Sequence, residues 1–414
     1  MTTNPRVVIT GIGAISPIGN SALETWRNAI NGVSGVGLIT LFDCQDYLVQ
    51  IACEVKDFRP ESYLPAKEAR RRDRFEQFAA VAVQEALSQS GLVDDGTNPD
   101  RVGVVISSAI GGINVLQDNI PLIEKEGPRK VNPFAIPMMM INGAAGLAAI
   151  DYGFTGPSFS ISSACASGAD SIGIAWQLIK SGVIDVAITG ASEATITPIG
   201  IASFDRLGAT SRRNNDYSMT PQPFDKNRDG LVMGEGAAIL VLENEQHARK
   251  RGAEILAELA GYAATADAYH ITAPEEFGAG GAKAMRNALS TAGLNLDAVD
   301  YINAHGTATF LNDLAETRAI KAAFGELAYT IPVSSTKSMT GHMMGATGAL
   351  EAALCVFIVR ENTLPPTIHY ETPDPDCDLD YIPNQARQKD VRVAISNSFG
   401  FGGHNAVLVI KKYV

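Results

Sequence analysis

Two stretches of this sequence share one pattern, SISSACASGADSIGIA at residues 160–175 and VSSTKSMTGHMMGATGALEA at residues 333–352. Each begins with small residues typical of a buried strand end and continues into a helix rich in Gly and Ala. VRVAISNSFGFGGHNAVLVI at 391–410 is likewise similar to DVAITGASEATITP at 185–198, which AAILVLE follows at 237–243. The simplest interpretation is that the chain contains two similar βα halves packed face to face.

The rest of the chain alternates between short apolar runs and helical segments. The apolar, β-branched runs that predict buried strands lie at residues 6–10, 102–108, 185–190, 237–243, 299–304, 332–336, 391–397 and 406–411. Periodic apolar residues predict a helix at 67–90. This alternation predicts an α/β fold, with parallel sheets covered by helices. Because no flexible linker is evident, we expect two rigidly joined halves, 1–252 and 253–414, that meet near 244–254.

Composition excludes several classes of protein. The 414 residues are 46% hydrophobic and 19% charged, which is enough apolar material for a large core and rules out a disordered chain. A net charge of −12 argues against nucleic acid as a partner. The most apolar stretch, 136–150, is too short to span a membrane, and no secretory signal opens the sequence. Five scattered cysteines without a CxxC pair indicate a reducing compartment, so we predict a cytoplasmic protein.

Cys165 is a candidate nucleophile because of its position in the predicted structure. It lies in SSACASG at 162–168, where a strand-like run ends and a helix at 166–181 begins. The positive end of the helix dipole would favour the thiolate, and the small neighbours would let a substrate approach. Most single cysteines are inert core residues, and for Cys165 taken alone that alternative stays open.

Two histidines occupy similar junctions. His305 follows a strand in NAHGTAT at 303–309, and His342 precedes a helix in KSMTGH at 337–342. A lone histidine is usually structural. Here a cysteine, two histidines and Lys337 all fall where strands meet helices or loops, which is where sites collect in α/β sheets. The combination therefore predicts one shared site.

A group of basic residues stands out in this acidic chain. They are Lys67, Arg70, Arg71, Arg72 and Arg74, with Arg129 and Lys130 as a second basic point. The ordinary interpretation is a solvated helix face. The alternative is a docking surface for an acidic partner, which local charge would attract despite the overall sign.

Six motifs follow one another along the chain. They are CASG (165–168), PFDKNRDGLVMGEGA (223–237), DAYHIT (267–272), NAHGT (303–307), SSTKSMTGH (334–342) and NSFGFGGHN (397–405). In this order, and nearly from end to end, the sequence resembles the elongating condensing enzymes of the thiolase superfamily, in particular the type II β-ketoacyl-acyl carrier protein synthases. The resemblance implies a thiolase-like five-layered αβαβα fold of two pseudo-repeated halves and a homodimer. It also implies acyl carrier protein as partner and no cofactor besides the phosphopantetheine that carries the substrates.

The resemblance also implies a reaction. Cys165 would take an acyl chain as a thioester, with the backbone N–H groups of Cys165 and Phe401 as the oxyanion hole. His305 and His342 would bind the malonyl thioester, and its decarboxylation would give a carbanion that attacks the acyl group. The product would be a β-ketoacyl-acyl carrier protein two carbons longer, as in fatty acid elongation.

Further residues receive roles by the same resemblance. Lys337 would orient the histidines and pair with Glu316, while Phe399 and Phe401 would act in gating. The substrate-binding residues would be Thr307, Thr309, Ile110, Phe204, His270 and Thr272. The docking surface for the carrier protein would comprise Lys67, Arg70, Arg71, Arg129 and Lys130. A structural sodium or potassium ion would bind at Asn303, Glu351 and Asn397.

Two features depart from the family pattern. Phe310 stands where the family usually has proline, in a loop beside the pantetheine path. The run Met138–Met140 is either adaptable core filler or a means of reshaping the acyl pocket.

Other functions share parts of this pattern. A discrete polyketide ketosynthase would have the same catalytic residues, and a chain-length-factor-like dimer partner would lack the nucleophile. A degradative thiolase would need a second active cysteine near the C-terminus, where this chain has FGFGGHN. A starter synthase would replace one histidine by asparagine, whereas His305 and His342 are both present.

Overall fold

The computed structural model describes residues 5–93 and 95–414. The strands are β1 (Val7–Ile15), β2 (Gly37–Leu38), β3 (Ile51–Ala52), β4 (Val102–Ser107), β5 (Ser158–Phe159), β6 (Val186–Glu193), β7 (Gly236–Asn244), β8 (Ala257–Ala266), β9 (Tyr301–Asn303), β10 (Val333–Ser334), β11 (Thr363–Leu364), β12 (Arg387–Gln388), β13 (Val393–Gly400) and β14 (His404–Lys411). The α-helices are α1 (Ala22–Ile30), α2 (Ala66–Ala69), α3 (Arg74–Ser90), α4 (Ile113–Glu126), α5 (Ala135–Met139), α6 (Gly143–Tyr152), α7 (Ser167–Lys180), α8 (Pro198–Arg206), α9 (Glu245–Lys250), α10 (Ala279–Thr291), α11 (Phe310–Phe324), α12 (Lys337–Thr340) and α13 (Thr347–Glu361).

Short 3-10 helices complete the described secondary structure. They lie at Pro60–Ser62, Pro99–Arg101, Pro128–Lys130, Ala164–Ala166, Tyr217–Met219, Leu296–Ala298, Gly325–Tyr329 and Met344–Ala346. Among the helices described, none is long and apolar enough to cross a membrane.

Ten strands form one sheet whose two sides repeat the same topology. The order is β10-β9-β13-β14-β8-β1-β7-β6-β4-β5. On each side the first strand of the half (β1 or β8) pairs antiparallel with the last (β7 or β14). The last strand pairs antiparallel with β6 or β13, and two parallel strands follow. The prediction of two similar halves is confirmed. The predicted parallel pairing holds among β4, β5 and β6 and among β9, β10 and β13, but β7 and β14 run antiparallel to their neighbours.

Alternation along the strands separates a central helical layer from two outer ones. Ala238 and Leu240 of β7 face the cluster that contains α7 and α13, whereas Ile239 and Val241 face α3 and α6. In the other half, side chains of β14 divide in the same way between the central layer and the layer of α10 and α11. The result is the expected αβαβα arrangement, with α7 and α13 buried between the two halves of the sheet. The boundary at 252/253 stays a prediction.

The predicted helix at 67–90 is interrupted. It appears as α2 and α3, separated by a turn, because Asp73 begins a new helix with a capping box. The Asp73 carboxylate accepts from the Phe75 N–H, and Glu76 Oε2 accepts from the Asp73 N–H at 2.9 Å. The expected end at Gly91 is correct, since this residue adopts a left-handed conformation just past α3.

The two central helices begin in the same way. A 3-10 turn at Ala164–Ala166, the first elbow, precedes α7, and one at Met344–Ala346, the second elbow, precedes α13. Ala164 and Met344, the first residues of the two elbows, have φ of 52° and 45°. Such values are uncommon for residues with a side chain. The next position is Cys165 in the first elbow and Gly345 in the second, so one backbone shape is used twice.

Candidate active site

One cavity of about 280 Å³ collects residues from both halves of the chain. Cys165 reaches it from the first elbow, and His305 and His342 reach it from the C-terminal half. The predicted residues that line it further are Phe204, Thr272, Thr307, Thr309, Glu316, Phe399 and Phe401. The structure therefore brings the nucleophile candidate and both histidines to one cavity.

Burial dominates the chemistry of the Cys165 thiol. The residue is 8% exposed, and this burial raises the pKa of Cys165 to about 11. The backbone N–H of Phe401 and the charge of Lys337 oppose this rise in the pKa. The expectation that the helix start favours the thiolate is wrong for this structure, because desolvation outweighs it. The resting group is a thiol.

Buried hydrogen bonds fix the first elbow. Ser163 Oγ donates to Asp170 at 2.5 Å, and Tyr262 Oη from β8 donates to the other oxygen of Asp170 at 2.7 Å. The end of β13 lies against the same turn, since a Cβ on Gly400 would be 3.1 Å from the Cys165 nitrogen. Glycine at 400 thus lets the strand end, and with it the Phe401 N–H, approach the sulfur closely.

The two histidine rings form a nearly perpendicular pair. Their centroids are 5.3 Å apart with an interplanar angle of 85°, and the His305 ring is also 5.9 Å from Phe399. Burial, and then the charge of Lys337, lower the pKa of both histidines well below 6.5. Both imidazoles are therefore neutral. Thr347 Oγ1 lies 3.0 Å from Nδ1 of His342, which leaves Nε2 as the remaining ring nitrogen.

The expected pair between Lys337 and Glu316 is wrong. Lys337 Nζ donates to Glu351 at 2.6 Å, and both side chains are 1% exposed. Glu316 instead accepts from the backbone N–H groups of His305 at 2.8 Å and Gly306 at 2.7 Å. The reason is that the loop after β9 directs two N–H groups at α11, so the carboxylate of that helix caps the loop. Burial raises the pKa of Glu316 and of Glu351 to about 7.

The loop after His305 shapes the mouth of the cavity. Thr307 and Thr309 hydroxyls lie 2.9 Å apart. Ala308 between them has φ of 66°, and its N–H donates to Asp313 at 3.2 Å. The Phe310 ring follows, 60% exposed at the start of α11, with the buried Arg228 guanidinium 5.0 Å from its centroid.

Two predicted substrate-binding residues lie apart from the described cavity lining. His270 is exposed, and its Nδ1 accepts from the backbone N–H groups of Thr272 and Ala273 at 3.1 Å, so it closes a turn. Ile110 is 40% exposed in the loop after β4, beside the first elbow. In the methionine run, Met138 packs in a small core cluster, as expected for filler, whereas Met140 is 42% exposed.

The basic cluster divides into buried and exposed members. Arg72 pairs with Asp151 at 2.7 Å, and Arg74 makes two hydrogen bonds to Glu235, so these two arginines are structural. The Arg71 guanidinium stacks 4.6 Å from the Phe134 ring, which connects the cluster to the segment that carries the second basic point. The exposed members are Lys67, Arg70, Arg129 and Lys130.

Three buried side-chain oxygens at the predicted cation residues have no hydrogen-bond partner in the described part of the chain. They are Asn303 Oδ1, Asn397 Oδ1 and Glu351 Oε2. Buried polar groups are rarely left unsatisfied, and three oxygens are the kind of donor set that an alkali or alkaline-earth cation prefers. The donors at the three predicted cation residues therefore fit such an ion.

Sequence reasoning missed several residues that support the site. Asp170, Glu351 as the partner of Lys337, and Asp313 are buried carboxylates on helices. Glu193 is another, at the end of β6. An acidic residue directly after a strand-like run indicates a carboxylate with buried hydrogen-bond partners, because charged residues are almost never fully buried without a partner.

Comparison with known proteins gives matches over nearly the whole chain. The family model for the β-ketoacyl synthase N-terminal domain matches residues 4–248, and that for the C-terminal domain matches 256–371. A "3-oxoacyl-[acyl-carrier-protein] synthase 2" of Synechocystis sp. is 50% identical over 408 residues, which is 99% of this chain and 98% of the relative.

Solved structures agree in fold and coverage. A β-ketoacyl synthase from Burkholderia phymatum has a TM-score of 0.92 at 35% identity, over 99% of this chain and 100% of the other. A ketosynthase solved with its type II polyketide acyl carrier protein and a bound hexaketide has a TM-score of 0.90 at 35% identity, over 100% of both chains.

Proposed function

Because the chain belongs to the β-ketoacyl synthase family, we propose that Cys165, His305 and His342 share the steps of one decarboxylative condensation. The enzyme is an acyltransferase that joins acyl and malonyl groups borne by acyl carrier protein, in fatty acid elongation. The product is a β-ketoacyl-acyl carrier protein two carbons longer. The observation that carries the proposed roles is the single cavity in which the thiol and both neutral imidazoles meet.

Acyl transfer is the first step. Cys165 Sγ attacks the carbonyl carbon of the acyl thioester, and the carrier thiol leaves with the proton that the cysteine gives up. The backbone N–H groups of Cys165 and Phe401 bind the oxyanion of the tetrahedral intermediate. Support comes from the Phe401 N–H, which lowers the pKa of the Cys165 thiol, and from the approach of Gly400 to the Cys165 nitrogen.

Malonyl decarboxylation is the second step. The bond to the carboxylate breaks, carbon dioxide leaves, and the electron pair forms an enolate whose oxygen accepts from His305 and His342. Neutral imidazoles can donate here, and the charge on Lys337 stabilises the developing anion. The lowered pKa of each histidine supports this role, as does the contact of Thr347 with Nδ1 of His342.

Condensation is the third step. The enolate carbon attacks the acyl-Cys165 carbonyl, the new carbon–carbon bond forms, and the sulfur leaves and regains a proton. The Thr307 and Thr309 hydroxyls at the mouth would bind the amides of the pantetheine arm, with Phe399 and Phe401 gating the malonyl side. The predicted N-terminal half, 1–252, would supply the nucleophile, and the predicted C-terminal half, 253–414, would supply both histidines.

A polyketide ketosynthase is the second candidate function. Its support is the solved ketosynthase with a polyketide carrier protein, which is 35% identical to this chain. The Synechocystis 3-oxoacyl-acyl-carrier-protein synthase 2 is 50% identical, which makes fatty acid elongation the first candidate. Both candidates use the same catalytic residues and differ in the chain that occupies the pocket.

Intact-mass spectrometry tests the reaction. The protein is mixed with a panel of acyl-carrier proteins and then with malonyl-carrier protein. We expect an acyl adduct on Cys165, followed by its loss and a β-ketoacyl product two carbons longer. No adduct from any donor, with folded protein, would contradict the proposed role of Cys165, and a preference for polyketide chains would favour the second candidate.

We propose that the carrier protein docks on Lys67, Arg70, Arg71, Arg129 and Lys130. Carrier proteins are acidic, and the Arg71–Phe134 contact connects the two basic points. Arg70→Glu should raise KM for malonyl-carrier protein about tenfold and leave a small malonyl thioester unaffected. Lys283→Glu, which makes the same charge reversal at an exposed position of α10, is the control. Equal KM values in both variants would contradict this surface.

We propose a sodium or potassium ion between Asn303, Asn397 and Glu351. When bound, the ion would supply positive charge that satisfies three buried oxygens, one of which belongs to Glu351, the partner of Lys337. Elemental analysis after exhaustive dialysis, with the melting temperature in sodium, potassium and choline chloride, tests it. We expect a bound ion and a higher Tm in one alkali salt, and equal Tm values without bound metal would contradict the site.

We propose a homodimer that works in the cytoplasm. The short strand β5 is an edge of the ten-stranded sheet, and edge strands present N–H and C=O groups that can pair with another chain. Exposed Ile150 on α6 and Ile136 on α5, 78% and 65% accessible, extend the apolar surface there. Light scattering should give twice the chain mass, and Ile150→Glu should shift it to one chain mass. A monomeric parent protein would contradict the homodimer.

A further inference from the structure

Glu193, the last residue of β6, is a fully buried carboxylate that the steps above do not use. Its Oε1 accepts from Ser108 Oγ at 2.7 Å and from the Ile110 N–H at 3.3 Å. Its Oε2 accepts from the Ala109 N–H at 2.8 Å and from the Gly345 N–H at 3.0 Å. Burial raises the pKa of Glu193, but four donors aimed at its two oxygens favour the ionised form.

These contacts join two sides of the active site. The loop at 108–111 carries Ile110, a predicted substrate-binding residue that would contact the acyl chain, and Ser108 Oγ also accepts from the Gly111 N–H at 2.7 Å. Gly345 belongs to the second elbow, three residues after His342. The approach is tight, because a Cβ on Gly345 would lie 2.8 Å from the Glu193 carboxylate. One side chain therefore fixes the acyl-side loop and the histidine turn together.

The repeat in the fold shows what kind of site this carboxylate fills. Gly345 occupies in the second elbow the position of Cys165 in the first, so the two backbone N–H groups correspond. At the first elbow, β13 ends at Gly400 beside the Cys165 N–H. Because glycine has no side chain, this strand end leaves room for the substrate oxygen. At the second elbow, the corresponding strand end is Glu193, whose carboxylate accepts from the N–H itself.

We propose that Glu193 is a positioning residue, an internal anion that occupies the second elbow where the first elbow binds the substrate oxyanion. It holds the Ile110 loop and the His342 turn in one geometry, although it touches neither substrate. This inference rests on the proposed function, which assigns His342 to the malonyl group, and on the predicted role of Ile110 as a substrate-binding residue on the acyl side. Loss of the carboxylate should therefore slow both half-reactions.

The test compares Glu193→Gln with Glu85→Gln. Glu85 lies on α3, away from the cavity, and its half-buried carboxylate accepts from the backbone N–H groups of Ala14 in β1 and Ala22 in α1. Glutamine keeps the shape, but its NH2 group would face N–H donors. We measure acylation of Cys165 by mass spectrometry and decarboxylation of malonyl-carrier protein in a Cys165→Gln background.

In Glu193→Gln we expect both half-reactions to fall about 10- to 100-fold, whereas Glu85→Gln stays within about twofold. Unchanged half-reactions in folded Glu193→Gln would overturn this inference and leave the proposed function standing. If the parent protein, without substitutions, were never acylated at Cys165, the proposed function itself would be overturned.

A second readout separates charge from general structure. After burial, the charge of Glu193 also raises the pKa of Cys165, so the pH profile of Cys165 alkylation by iodoacetamide should shift to lower pH in Glu193→Gln. Glu193→Asp keeps the charge but shortens the reach. Glu193→Asp should therefore have the same pH profile of Cys165 alkylation as the parent protein, while both half-reactions are slower. This variant also replaces Glu193→Gln in the test if Glu193→Gln does not fold. An unmoved profile in Glu193→Gln, or full activity in Glu193→Asp, would contradict the role.

Discussion

The two elbows have the same backbone but different chemistry. Each is a 3-10 turn that starts in the left-handed region and leads into a central helix. In the first, Ser167 Oγ closes the turn, accepting from the Ser163 N–H at 3.0 Å and donating to the Ala164 carbonyl at 2.7 Å. In the second, the corresponding hydroxyl of Thr347 contacts the ring of His342.

This difference shows how one duplicated turn supports two tasks. The first elbow presents a side chain, Cys165, and leaves its N–H group for a ligand. The second presents no side chain at Gly345, takes its anion from within the protein, and supports a histidine instead. Substitutions at corresponding positions should therefore have different consequences.

The largest effect is expected at the nucleophile. Cys165→Ala removes the sulfur that carries the acyl chain, so condensation should fall by at least about 10⁴-fold while Tm changes little. Product formation from acyl- and malonyl-carrier protein, with a thermal melt of the same sample, checks both. Residual condensation within about tenfold of the parent would contradict the role of the first elbow.

The corresponding change in the second elbow should affect stability. A Cβ at Gly345 would lie 2.7 Å from the Ala109 nitrogen, so Gly345→Ala should lower the free energy of unfolding by about 1–3 kcal/mol. Urea denaturation measures it, with Gly146→Ala as control, because a Cβ there meets no atom within 4 Å. Equal stability of the two variants would mean that the second elbow is not closely packed.

The hydroxyl of Thr347 should have a smaller, catalytic effect. Thr347→Val keeps the shape but removes the hydrogen bond to His342 Nδ1, so malonyl decarboxylation should slow about tenfold. Thr347→Ser should restore the rate, and a decarboxylation assay in the Cys165→Gln background compares the three proteins. If Ser and Val behave alike, the hydroxyl does not orient the ring.

The smallest effect is expected where the two helices meet. A Cβ on Gly168 would lie 2.7 and 2.8 Å from two backbone atoms, whereas a Cβ on Gly348 first meets the Ser398 hydroxyl at 2.6 Å. A side chain moves more easily than backbone, so Gly168→Ala should lower the free energy of unfolding more than Gly348→Ala does. We expect the difference between the two variants to be less than about 1 kcal/mol. Paired urea titrations decide the order, and the reverse order would contradict this packing.

The repeat was predictable because small residues at a strand end and a Gly/Ala-rich helix leave a pattern in the sequence. The strand β8 was not predicted, since AELAGYAATA has a single β-branched residue, Thr265, and is dominated by alanine, which is uncommon in strands. Burial of Cys165 reverses the effect expected from a helix start, and burial depends on the whole cavity rather than on neighbouring residues. The choice of Glu351 over Glu316 as the partner of Lys337 depends on how α11 and α13 approach the lysine, which spacing does not encode.

The division of work between sulfur and imidazoles is tested most directly by measuring carbon dioxide release from malonyl-carrier protein. Cys165→Gln should still decarboxylate, because His305 and His342 bind the enolate oxygen and the sulfur takes no part in that step. Adding His305→Ala or His342→Ala should abolish the release. Loss of decarboxylation in folded Cys165→Gln alone, or its persistence without either histidine, would contradict the account.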